Sequence, residues 1–75
     1  MDIDEQNLES MLRKFEKGPR THAVLGDWTG NWGIASMNLA SELTRRGFLE
    51  PAAGSFMNQL TYYGKLRLEV IEMAH

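Results

Sequence analysis

Leu43-Thr44-Arg45-Arg46-Gly47-Phe48-Leu49-Glu50 and, after a turn, Leu60-Thr61-Tyr62-Tyr63-Gly64-Lys65-Leu66 form the stretch that decides how this chain folds. Gly47 follows an apolar-periodic run and marks a helix stop, where the backbone turns left-handed. Phe48-Leu49-Glu50 and residues 56–60 can pair as a short antiparallel hairpin across Pro51-Ala52-Ala53-Gly54-Ser55. Pro51 has no N–H to donate and belongs at a strand end or edge. Thr61 then reads as the cap of a last helix.

Residues 62–74 carry two periods at once. Leu66, Leu68 and Val70 alternate with Arg67 and Glu69 as in a strand, whereas Tyr63, Leu66, Val70 and Met73 share one helical face. The Thr61 cap, Gly64 in the first turn and the Glu-rich ending favour the helix. Leu68 and Ile71 form a second apolar line, off the Leu66–Val70–Met73 face. A helix apolar on two sides is usually buried on two sides, so Leu68 and Ile71 are candidate contacts with the same helix of another copy.

Upstream, Leu8, Met11, Leu12 and Phe15 stand at i, i+3, i+4 and i+7 and predict a helix over residues 4–17. Asp2 or Asp4 can cap it, and Gly18-Pro19 ends it. Thr21 is the natural cap of a short second helix with Ala23, Val24, Leu25 and Trp28 inward, which Gly26 shortens or distorts. Asp27-Trp28-Thr29-Gly30 reads as a turn, and Thr29 or Asn31 can cap a third helix over residues 32–46. Its expected inner face is Ile34, Met37, Ala40 and Leu43 with Leu39 beside them.

The 75 residues make one domain, 1–75, near the lower size limit for a chain held by a single apolar core. There is no cysteine, hence no disulfide, thiolate nucleophile or cysteine-based zinc site. No apolar run approaches the ~18 residues of a membrane span, and Asp2, Asp4 and Glu5 are the wrong charges for a signal peptide. The expectation is a soluble, cytoplasmic protein. Net charge is −2, but segregated: Asp2, Asp4, Glu5 and Glu9 open the chain, then Arg13, Lys14, Lys17 and Arg20 against Glu16 leave a local +3. His22 and His75 are the only imidazoles, and no metal-ligand spacing, nucleophile elbow or phosphate loop is present. The chain is read as a non-enzyme with no metal and no cofactor.

From Leu8 to Met73 the pattern resembles winged helix-turn-helix proteins. LTRRGFLE followed by GSFMNQLTYYGKLRL looks like the stretch shared by small bacterial and phage-type regulators. There the recognition helix ends in a Gly-aromatic-aliphatic step and the wing returns through Leu-Thr-x-x-Gly into a last helix. EKGPRTHAVLGDWTG is similar to their first half. The resemblance implies an α+β fold of three helices, a two-stranded β-hairpin wing and a C-terminal helix. It also implies a third helix in the DNA major groove, with the first helix and the wing on phosphates. Carried onto this chain, groove-facing candidates are Ser36, Asn38, Ser41, Glu42 and Arg45. Asn38 suits adenine and Arg45 suits guanine. Backbone contacts fall to Arg13, Lys14, Lys17, Arg20 and Arg46.

Two departures stand beside this. Both arginines of the third helix lie in its last turn, where they also favour the negative end of the helix dipole. The expected wing has no Lys or Arg from residue 50 to 64. Trp28 is expected in the core, Trp32 outside, and one ring of Tyr62-Tyr63 buried. Trp32, Phe56 and Met57 form a candidate protein-partner surface. The primary expectation is a small dimeric regulator reading duplex DNA with its third helix. The alternative is a protein-binding winged-helix module, a phage-type inhibitor or adaptor that binds a host transcription or defence factor without touching DNA.

Overall fold

In a computed structural model of the chain, residues 3–52 and 56–73 are described. Asp2, the turn residues Ala53, Gly54 and Ser55, and His75 lie outside them. The architecture is α+β: four α-helices and a two-stranded antiparallel hairpin.

Helix α1 spans Glu5–Arg13. The Asp4 carboxylate accepts from the Asn7 backbone N–H at 2.8 Å, and Glu5 adds a negative charge to the first turn. The helix is shorter than the sequence pattern predicts. Lys14, Phe15 and Glu16 each donate to a carbonyl three residues back, so the chain tightens into turns before Gly18, whose φ is +139°. Phe15 still reaches the core with Leu8, Met11 and Leu12. Beyond Pro19, Arg20 pairs with Asn58 through two backbone bonds, 2.9 and 2.7 Å. This bridge ties the segment after α1 to the hairpin, and no alternation in the sequence announces it.

The expected second helix divides in two. A 3-10 helix covers His22–Leu25 and a single α-turn, α2, covers Gly26–Thr29. Thr21 occupies the cap position, but its side chain makes no capping bond. Asp27, Trp28 and Thr29, read from sequence as a turn, belong to α2, which Gly30 closes at a φ of +70°.

Helix α3, Ile34–Arg45, buries Ser36, Leu39, Ala40 and Leu43, again at i, i+3, i+4 and i+7. The expected inner face was rotated: Ile34 is 74% exposed and Met37 51%. The cause is Ser36, wholly buried because its hydroxyl is satisfied by the Asn31 carbonyl and by Thr29 Oγ1 at 3.0 Å. With that polar position turned inward, Ile34 and Met37 must face out.

Helix α3 ends as expected at Gly47, φ +89°. Phe48 N–H donates to Leu43 O and Gly47 N–H to Thr44 O, a Schellman arrangement. Strands β1, Leu49–Pro51, and β2, Asn58–Leu60, pair Leu49 with Leu60 and Pro51 with Asn58. Pro51 is the last residue of its strand, and Leu49 and Leu60 point into the core.

The 62–73 segment is helical: α4 covers Tyr62–Met73 and packs on α1. A Cβ on Gly64 would lie 2.4 Å from the Phe48 carbonyl oxygen, so only glycine permits this approach. That contact sets the rotation of α4 and turns Gly64, Leu68 and Ile71 inward. Tyr62 and Tyr63 are both exposed, against the expectation of one buried ring; Tyr63 instead stacks on Phe48 with centroids 5.2 Å apart. Among the described residues, no helix is long and apolar enough to cross a membrane.

Candidate nucleic-acid interface

The outward side of α3 carries Ile34, Met37, Asn38, Ser41 and Arg45 in one line, the complement of its buried stripe. Of the five residues nominated as groove-facing, Asn38, Ser41 and Arg45 therefore share an exposed face. Ser36 does not. It is 0% exposed, and its hydroxyl is spent on the α2–α3 turn, where Thr29 also bonds Asn31 and the Asn31 side chain accepts from Gly33 N–H at 2.7 Å. Ser36 is removed from the candidate contacts.

Glu42 lies beside this face and holds both arginines. Arg45 Nε donates to Glu42 Oε2 at 2.8 Å and its terminal nitrogen meets Oε1, a two-pronged contact, while Arg46 reaches Oε1 at 3.4 Å. The hydrogen bond from Arg45 holds the Glu42 carboxyl below the usual carboxylate range, against partial desolvation, and Glu42 in turn raises the Arg45 guanidinium. Arg45 is nevertheless 74% exposed along its side chain. An exposed ion pair of this kind is weak and screened by solvent, so a phosphate or a guanine edge can compete for the guanidinium.

The five residues nominated for the DNA backbone are not equivalent. Arg13 is drawn toward α4 by Glu72 at 2.9 Å and is held by Glu9 at 2.8 Å. The Glu9 hydrogen bond is the largest cause of its raised pKa. Lys14 turns the other way, 3.2 Å from Asp27 and 5.9 Å from the Trp28 ring centroid. Lys17 and Arg20 form no ion pair among the described residues. Neither does Lys65 in the first turn of α4, a cation that sequence reasoning passed over because it sits outside the two basic clusters.

Asn38 also borders a cleft of ≈ 430 Å³ between α1, α2 and α3, with Ile3, Asn7, Met11, Trp28 and Leu39 among its walls. Among the described residues no charged side chain lines it. Among the described residues no group of three His, Asp or Glu is placed to hold a metal ion.

The partner-surface candidates are all exposed, with Phe56 96% accessible. Trp32 lies with its ring across Gly26: a Cβ there would come within 2.2 Å of Trp32 Cδ1. The outward Ile34 and Met37 lengthen this surface to an apolar ridge at the N-terminal end of α3. The signal was present in the spacing Ser36–Leu39–Ala40–Leu43, had a serine been admitted to the inner face.

Leu68 and Ile71, nominated for contact with a second copy, are 4% and 6% exposed and sit in the core. That assignment is corrected. The apolar line left outside is the other one, Tyr63, Leu66, Val70 and Met73. Comparison with known proteins finds no matching protein-family model, no matching curated protein and no matching solved structure.

Proposed function

We propose that the chain is a winged helix-turn-helix module that binds duplex DNA with α3 in the major groove. The observation that carries this reading is the outward line of α3, where Asn38 and Ser41 present an amide and a hydroxyl on the exposed face beside the accessible Arg45 fork. The order of elements supports it: α1, a bridge at Arg20, α2, α3, the hairpin and α4. Asn38 reads adenine, Arg45 exchanges Glu42 for guanine or phosphate, and Ile34 and Met37 suit thymine methyl groups. Lys17 and Arg20 meet phosphates directly, whereas Arg13, Lys14 and Arg46 do so only by giving up carboxylate partners.

With few cations uncommitted, the electrostatic share of binding is small and the salt dependence shallow, a slope of about −3 in log K against log salt for three phosphate contacts. Fluorescence anisotropy on random duplex DNA between about 50 and 200 mM salt tests the proposal. Saturable binding that weakens with salt supports it; no binding at the lowest salt rejects it.

A second reading is favoured by one observation, the exposed Trp32–Ile34–Met37 ridge. Aromatic and Met side chains are enriched in protein interfaces and charged ones depleted at their centres. Here the module grips a protein, as an inhibitor or adaptor would. Binding to a protein target that Trp32→Ala and Met37→Ala abolish, with no DNA shift at low salt, selects this reading over the first.

A further inference from the structure

We propose that α4 pairs in parallel with α4 of a second copy, through Tyr63, Leu66, Val70 and Met73. The inference is independent of what α3 contacts.

The core of each copy uses only the Gly64–Leu68–Ile71 side of α4. The opposite side leaves Val70 55% and Met73 86% exposed, with Tyr63 and Leu66 on the same line. Spacings of three, four and three residues along 63, 66, 70 and 73 are those of a and d positions in a heptad, the seam by which one helix meets another. Val70 at a and Leu66 at d is the combination that favours two parallel strands over higher assemblies.

Charge selects a second copy in that orientation. Arg67 and Glu69 flank the seam on opposite sides. An antiparallel pair that stacks Leu66 on Val70 would bring Arg67 close to the second copy's Arg67, and Glu69 close to its Glu69. The parallel pair avoids both and sets Tyr62 beside the second copy's Arg67, a favourable ring–cation neighbour. Arg67 is already bound to Glu5, and Glu72 to Arg13, so neither enters the contact unpaired. Covering Tyr62 and the four seam residues removes roughly 600 Å² per copy, close to the lower edge of specific interfaces at ~1,200 Å² in total. The dimer is therefore concentration-dependent.

Sedimentation velocity over a concentration series reads the equilibrium. The mass should rise from one chain to two in the micromolar range, and Val70→Glu or Leu66→Glu should weaken association by roughly tenfold or more. Both positions face outward, so circular dichroism should be unchanged; Ser41→Glu on α3 should leave association unaltered. Because the chain has no cysteine, Val70→Cys gives a direct geometric test. Mild oxidation should cross-link it to itself, whereas cross-links confined to mixtures of Leu66→Cys and Val70→Cys would mean antiparallel helices and overturn the proposal. A monomer throughout, a dimer indifferent to Val70→Glu, or one broken by Ser41→Glu would overturn it as well.

Discussion

The hydroxyl of Thr61 donates to the carbonyl oxygen of Gly47, which joins the end of α3 to the start of α4 across the hairpin. The Thr61 hydroxyl oxygen in turn accepts from Gly64 N–H at 2.9 Å, and Thr61 N–H donates to Phe48 O at 3.0 Å. One side chain thus caps α4 and satisfies a carbonyl left over by the Schellman turn. Thr61→Val keeps the shape and removes the hydroxyl's bonds to Gly47 O, Phe48 O and Gly64 N–H. It should cost about 1–2 kcal/mol, or roughly 4–16 °C in Tm for a chain of this size. Thr61→Ser should recover most of the loss. Thermal unfolding followed by circular dichroism separates the two.

Two glycines face nearly identical clashes with opposite consequences. Alanine at 64 would press on the backbone oxygen of Phe48, and alanine at 26 on the ring of Trp32. The oxygen is fixed backbone: it accepts from Thr61 N–H, and the N–H of the same residue closes the Schellman turn. The ring belongs to a 70% exposed side chain and can swing away. Alanine gains about 1 kcal/mol of helix propensity at either site. Gly64→Ala should therefore be clearly destabilising and Gly26→Ala close to neutral. Urea midpoints give the stabilities, and a change in tryptophan emission in Gly26→Ala alone would report the displaced ring.

The same contrast explains what could be read from the amino-acid order. Gly47, Thr61 and Gly64 each answer a backbone demand that few residues meet, so the hairpin's position and the helical state of α4 were legible. Which way α3 and α4 face was not. On α3 the inner stripe includes Ser36, whose burial depends on a carbonyl and a hydroxyl supplied by a turn five and seven residues upstream. On α4 two apolar lines compete, and only the approach of Gly64 to Phe48 decides between them. The bridge between Arg20 and Asn58 is a backbone pairing and leaves no side-chain trace. At the candidate site, Asn38, Ser41 and Arg45 were legible as an outward line. The neutralising contact from Glu42 was visible as an i, i+3 spacing, but its two-pronged geometry was not.

Acid should act on that contact with a definite sign. The folded-state pKa of Glu42 lies below its ordinary value of 4.5, mainly through the Arg45 hydrogen bond. A carboxyl shifted in this direction contributes stability that is complete above 4.5 and is lost as pH falls through the folded-state value. Glu42→Gln should therefore be less stable than the parent near neutrality, and the difference should shrink in acid below 4.5. Urea unfolding at stepped pH measures it. A difference that grows on acidification would place the shift in the wrong direction.

Glu42→Gln should also strengthen DNA binding under the proposed function. Glu42 holds Arg45 through a two-pronged contact, so removing its charge releases that guanidinium at the C-terminal end of α3. A released cation that reaches a phosphate displaces about one counterion, so the salt slope should steepen by up to about 1. The gain should be greatest at low salt and should fall across sequences alike, since phosphates carry no base identity. Arg45→Ala in the same background should take back most of that steepening and, if Arg45 also touches a guanine, relax base preference at one position by about 1–3 kcal/mol. Anisotropy titrations of the parent, Glu42→Gln and the double variant at several salt concentrations give every term. Should Glu42→Gln leave affinity and slope unchanged while the fold is intact, the end of α3 does not touch DNA, and the apolar ridge at its other end becomes the working surface.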